Sequence, residues 1–353
     1  MRLDLGADVA ELTAAIVDIE SVSGREKALA DAVEEALRPL PHLRVERDGD
    51  AVIARTALGR AERVVIAGHL DTVPVNGNLP SRVVGDRLYG CGTSDMKSGL
   101  AVMLKLAATV PEPTRDVTYL FYECEEVEAV RNGLARLAAS RPELLAGDFA
   151  VLMEPTAAVI EGGCQGTIRV EVTARGARAH SARAWMGVNA IHKAGEILDV
   201  LRSYRPRKPV VDGLEYHEGL NAVFVRGGVA GNVIPDECTV TVNYRFAPDR
   251  TLADAEAHLR ELFAGFEVTV VDAAESARPG LAHPAAAAFV AAVGGTPRAK
   301  LGWTDVARFS ALGVPAVNYG PGDPPLSHTK DEYVEIPLIR DCERRMRAWL
   351  TAG

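Results

Sequence analysis

The strongest constraint on this chain is a recurring unit: a short apolar run that stops at a loop rich in glycine, histidine or carboxylates. Residues 63–67, 117–122, 149–153 and 316–319 are such runs, too short for helices and bounded by turn-forming or charged residues, so they predict buried strands. Residues 51–55 read as a further strand beside them. Apolar residues at helical spacing over 9–19, 26–37, 98–110, 128–140, 289–293 and 336–350 place helices between and around the strands. Strands alternating with helices predict an α/β layer with a central, mostly parallel sheet.

The texture changes in the middle of the chain. Residues 169–175, 222–229 and 238–246 alternate in the way of solvent-compatible strands, with helices over 188–203 and 252–263 and a last strand over 267–271. The order β-α-β-β-α-β is that of a compact split βαβ, ferredoxin-like α+β domain. It is expected as an insertion, 173–284, interrupting a catalytic domain made of 1–172 and 285–353. A length of 353 residues suits such a pair, since domains run to roughly 100–200 residues.

Composition narrows the partners. Acidic side chains outnumber basic ones 48 to 39, and a net charge of -9 would repel a phosphate backbone, so no nucleic acid is expected. Cys91, Cys124, Cys164, Cys238 and Cys342 are odd in number, scattered and never in a C-x-x-C pair, which points to a reducing cytoplasm and no disulfide framework. Residues 1–16 lack the basic and long apolar regions of a signal peptide. No segment approaches the roughly 20 apolar residues that span a bilayer, so no membrane is expected either.

The chemistry sits at the strand ends. Gly68-His69-Leu70-Asp71-Thr72-Val73-Pro74 follows the strand 63–67, at the edge where open α/β sheets place ligands. His69 supplies an imidazole of the kind zinc prefers, and Asp71 can orient that ring; the plainer alternative is a histidine that caps a turn. In Gly90-Cys91-Gly92-Thr93-Ser94-Asp95-Met96-Lys97-Ser98-Gly99, Asp95 is either a helix N-cap or a carboxylate able to bridge two cations about 3.5–4 Å apart. Cys91 and Ser94 lie outside any G-x-S-x-G elbow, which argues against covalent catalysis. Glu123-Cys124-Glu125-Glu126-Val127-Glu128 ends the strand 117–122, and in extended chain Glu125 and Glu126 would point to opposite sides, one toward water as a base and one toward metal. As a plain alternative, such a run is a solvated helix start. Glu154 ends the strand 149–153, and His328 follows the loop 320–325. Together these residues describe a site for two cations with mixed nitrogen and oxygen ligation, for which zinc is the natural choice.

These motifs, with Ser21-Val22-Ser23-Gly24 and the inserted domain, resemble the dinuclear zinc aminoacylase and carboxypeptidase family over essentially the whole chain. The resemblance implies a zinc-exopeptidase-like catalytic domain carrying two zinc ions, with cobalt as a substitute. It makes His69, Asp95 and Glu154 the ligands of one ion and Asp95, Glu126 and His328 those of the other, with Glu125 the general base and Asp71 the support of His69. It makes the insertion a lid that forms a homodimer and delivers His180 to the partner's site to stabilise the oxyanion. From the residues alone, His180 would be a surface side chain. Asn232 and Arg245 match positions that hold the substrate's carboxylate end; Arg245 could otherwise be a strand residue paired with a nearby acid.

The implied activity is hydrolysis of a small N-acylated amino acid. Within the family the chain is most similar to enzymes that hydrolyse N-succinyl-LL-2,6-diaminopimelate, with acetylornithine deacetylase and glutamate-type carboxypeptidase as alternatives and a non-catalytic binding relative as a separate class. Cys164-Gln165 stands where better-known desuccinylases carry a basic pair, Pro324 where they carry Asn, and Cys124 where the family usually has Asp.

Overall fold

The computed structural model describes residues 2–352. Met1 and Gly353, the outer limits of the expected catalytic domain, lie outside the described residues. The chain divides into two compact units. The first holds the chain up to Gly163, Pro279–Arg298 and the stretch from Thr304 onward; the second holds Cys164–Arg278 and Ala299–Trp303.

In the first unit, Arg63–His69 lies between Asp116–Tyr122 and Phe149–Leu152, parallel to both, and Ala316–Asn318 pairs parallel to Phe149–Leu152. These four strands are the parallel centre of an eight-stranded mixed sheet. Antiparallel strands flank the centre, with Arg44–Asp48 and Ala51–Arg55 on one side and Glu161–Gly162 on the other. Nearly every residue of the central strands is buried, as expected where helices cover both faces of a parallel sheet. Val9–Val17, Lys27–Leu37, Ser98–Thr109, Pro284–Val293 and Ile336–Thr351 contribute their apolar faces to one core cluster, including Ile16, Leu29, Leu100, Phe289 and Trp349. Parallel strands end together, so His69, Tyr122 and Leu152 share one edge, and the loops that leave it carry the polar residues singled out above.

The second unit is a four-stranded antiparallel sheet in the order Gly219–Gly227, Glu237–Phe246, Gly166–Arg175, Glu267–Ala274, with helices Ala190–Ser203 and Leu252–Leu262. Its own core joins Val170, Val172, Val240, Val242, Tyr244, Ile197 and Leu259. Gly166–Arg175 alternates buried and half-buried residues along its length, the mark of a sheet with one covered face.

Several elements differ from the expectation. The inner unit begins at Cys164, and a boundary at 173 falls inside the strand Gly166–Arg175. The helix expected over 128–140 is a short turn, Ala129–Arg131, followed by the helix Gly133–Ser140, because the Asn132 side chain accepts from the Ala135 amide and starts the helix anew. A small three-stranded sheet, in which Arg87–Tyr89 pairs with both Arg82–Val84 and Tyr333–Glu335, has no counterpart in the sequence pattern. Strands this short carry too little periodicity to be seen.

Candidate active site

Asp95 is the hub. One carboxylate oxygen stands 3.2 Å from His69 Nε2 and the other 3.4 Å from His328 Nε2, which is also 2.8 Å from Glu126 Oε1. Ligand atoms of His69, Asp95 and Glu126 lie within 4.8 Å of one another, and this group draws on both of the expected ligand sets. Glu154 is buried and raises the proton affinity of His69 through its charge.

Asp95 does not cap a helix. The backbone turns irregularly over Thr93–Lys97, with Asp95 and Met96 outside helical geometry, and the regular helix starts at Ser98. Gly92 makes the turn possible at φ +80, where a Cβ would also press on Thr72.

The Glu125–Glu126 pair is organised differently from the extended strand end that the sequence suggests. Cys124 takes a left-handed conformation, φ 60, and the chain turns back, so the amides of Glu125 and Glu126 both donate to the Asp71 carboxylate, each at 3.0 Å. Ser23 Oγ donates to the same carboxylate at 2.7 Å. The amide of Cys124 donates to Glu26 Oε1 at 3.1 Å, and Glu26 is itself buried. Three successive amides are thus held by two buried carboxylates. Charge-assisted bonds of this kind contribute roughly 1.5–3 kcal/mol each. Asp71 lies beside the His69 ring as well. His69 Nδ1 makes its hydrogen bond to the backbone oxygen of Asp71 at 3.0 Å, while the nearer carboxylate oxygen is 3.5 Å away. The four acids of 123–128 therefore divide: Glu123 pairs with Arg136 at 2.9 Å, Glu125 and Glu126 enter the site, and Glu128 is exposed.

Proton affinities follow from this crowding. Burial works against a charged His69, yet hydrogen bonds to Asp71 and Asp95 hold its pKa well above the usual value. Hydrogen bonds to Asp95 and Glu126 push His328 up to about 10. Burial would raise Asp95, but His328 and His69 hold it low. Burial, assisted by the charges of Glu154, Asp305 and Glu126 and opposed by His69, raises Glu125 well above an ordinary carboxylate. Burial and the Asp95 charge raise Glu126 as well.

This donor set fits a cation. Imidazole nitrogens and carboxylate oxygens converge at 2.8–3.4 Å. A borderline divalent ion takes such mixed nitrogen and oxygen ligands.

Glu332 escaped the sequence reading. Its carboxylate accepts from the amides of Gly92, Ser94 and Asp95 at 2.9, 2.8 and 3.0 Å. Burial pushes it up to about 7 despite those amides. The available signal was its place in the same short segment as His328.

The remaining candidates belong to the second unit. His180 is exposed, and its Nδ1 accepts from the Ala182 amide at 3.0 Å. A neutral ring bound in that way carries its proton on Nε2, so Nε2 is a donor. Asn232 is exposed, and its backbone oxygen accepts from the Ser181 amide at 2.9 Å. Arg245 is half-buried and has no carboxylate in ion-pair contact among the described residues, although the charge of Asp272 acts on it. Gln165, in place of a basic residue, is buried and donates to the His217 carbonyl at 2.8 Å.

Over residues 65–352 the chain matches the family described as Peptidase family M20/M25/M40. It is 56% identical over 351 residues to a Mycobacterium tuberculosis protein assigned as succinyl-diaminopimelate desuccinylase, with 99% of each chain covered. It is 48% identical over 360 residues to succinyl-diaminopimelate desuccinylase of Corynebacterium glutamicum, covering 99% of this chain and 98% of that one. Its fold is similar to that of an M20 family metallo-carboxypeptidase from Sulfolobus solfataricus, with a TM-score of 0.78 at 16% sequence identity and 98% of each chain covered.

Proposed function

The chain belongs to peptidase family M20/M25/M40, and from that premise we propose that it hydrolyses N-succinyl-LL-2,6-diaminopimelate to succinate and LL-diaminopimelate. The family is metal-dependent, and the His69, Asp95 and Glu126 cluster offers this chain's donors. Identity of 56% along 99% of both chains is the observation that carries the substrate.

In this reading His69, Asp95 and Glu154 would hold one zinc ion and Asp95, Glu126 and His328 would hold a second, with cobalt able to replace them. Ions bound there supply Lewis acidity, which lowers the pKa of water and polarises the amide carbonyl. Glu125 acts on protons: its raised affinity suits a base that takes one from water and returns it to the leaving amine. Asp71 keeps Glu125 and Glu126 in register by holding both of their amides. His180 Nε2 donates to the carbonyl oxygen as negative charge develops there. Asn232 and Arg245 receive a substrate carboxylate, for which a planar guanidinium is suited.

We assign His180 to a second copy of the chain in a homodimer. Gly219–Gly227 is an edge strand of its sheet, and Phe224 and Val225 are 67% and 63% exposed. A long apolar edge favours pairing with another strand, and an identical copy is the occupant we propose. No helix among the described residues is long and apolar enough to cross a membrane. A biosynthetic role in the cytoplasm accords with the dispersed free cysteines.

Purified protein supplied with zinc should release succinate from N-succinyl-LL-2,6-diaminopimelate, measured beside N-acetylornithine and glutamyl substrates. A much higher kcat/KM on N-acetylornithine would move the chain to the deacetylases, and no turnover of any substrate would favour a binding protein.

A further inference from the structure

Two segments distant in sequence, 87–95 and 323–335, are joined at several points. Tyr89 pairs with Tyr333 in antiparallel register, and the Gly90 amide donates to the Glu332 backbone oxygen at 3.1 Å. Ser94 Oγ donates to the Asp323 backbone oxygen at 3.2 Å and accepts from the Asp323 amide at 2.8 Å. Gly322 packs so closely that a Cβ there would lie 2.0 Å from the Ser94 carbonyl oxygen. The Glu332 carboxylate, 2% exposed, closes the assembly by taking three amides of the opposite loop, that of Asp95 included.

From this arrangement we infer that Glu332 is a positioning residue that sets the spacing between Asp95 and His328. Asp95 is fixed through its own amide, and His328 stands four positions before Glu332 in the same tight segment, where its φ is 64. One carboxylate therefore references both side chains to a single point. Metal sites tolerate ligand displacements of only about 0.2 Å, so loops carrying ligands need such a reference. Converging amides are a natural anion cradle. A carboxylate is the side chain that suits the cradle, because both of its oxygens accept, whereas the amide of glutamine would turn an NH2 toward other N–H groups.

The inference rests on Asp95 and His328 being metal ligands, as proposed above, and cobalt titration of the metal-free protein separates the two. If the parent protein takes up no cobalt, the ligand assignment fails. If the parent binds cobalt, Glu332→Gln should bind at least one ion about 10- to 100-fold more weakly, with a changed visible spectrum, as loss of outer ligand support does. In the zinc-loaded enzyme kcat should fall by a similar factor while KM stays within about twofold. A purely structural glutamate would lower the melting temperature and leave cobalt affinity and spectrum as in the parent, and that result overturns the inference. Should Glu332→Gln fail to fold, Glu332→Asp carries the same titration. Independently, hydrogen exchange in the parent should show protected amides at Gly92, Ser94 and Asp95, and exchange as fast as in exposed loops would also overturn it.

Discussion

The loops around Asp95 and the exposed side of the second unit handle polar groups in opposite ways. In the first unit Asp71, Glu26 and Glu332 are buried, and each is satisfied by backbone amides of a loop that carries a proposed ligand or base. In the second unit His180 and Asn232 are exposed, Arg245 has no ion-pair partner among the described residues, and an apolar edge strand faces outward. In the first region these carboxylates and amides meet within one chain. The second presents exposed groups, which the proposed reading matches with substrate and another copy. Preorganisation is concentrated where charges must be held apart or together to within tenths of an ångström, and openness is left where molecules arrive.

Substitutions on each side can break this contrast. The largest expected effect is that of Glu125→Ala, which should lower kcat by about 10²- to 10⁴-fold with metal content unchanged. Activity retained in that variant would remove Glu125 from the base role, and lost metal would place it among the ligands. Next comes His180→Ala, with kcat expected to fall by about 10²- to 10³-fold while metal content and dimer persist. Unchanged turnover would make His180 the surface residue that its exposure alone suggests. Smallest is Phe224→Glu on the edge strand. It should weaken self-association by about 10- to 100-fold, the equivalent of exposing or charging one buried aromatic, as read by sedimentation. A variant that stays dimeric would direct the interface to another surface, and a variant that loses metal would end the separation between the two regions.

Most proposed ligands could be read before any coordinates, for a physical reason. Parallel strands end at one edge, so a histidine or carboxylate directly after an apolar run is placed there by the pattern itself. The four-stranded inner unit was legible for a similar reason, because alternation over Gly166–Arg175 and Glu237–Phe246 extends long enough to show its period. Glu123, Glu125, Glu126 and Glu128 were indistinguishable as letters. Their different fates depend on the left-handed turn at Cys124 and on Arg136, which reaches Glu123 from thirteen residues away.

By itself the sequence determined the centres of the two larger sheets, the edge at which the chemistry gathers and the residue types able to bind a cation there. Tertiary structure alone decided which carboxylates gather at Asp95 and which hold the loops. Glu332, Glu26 and Asp71 act on backbone N–H groups, and nearly every residue has one, so no letter marks the amides of Gly92, Ser94, Asp95 or Cys124 as partners. Only folding brings a buried carboxylate within 3 Å of a particular amide, and that contact separates a cluster of acids from an ordered site.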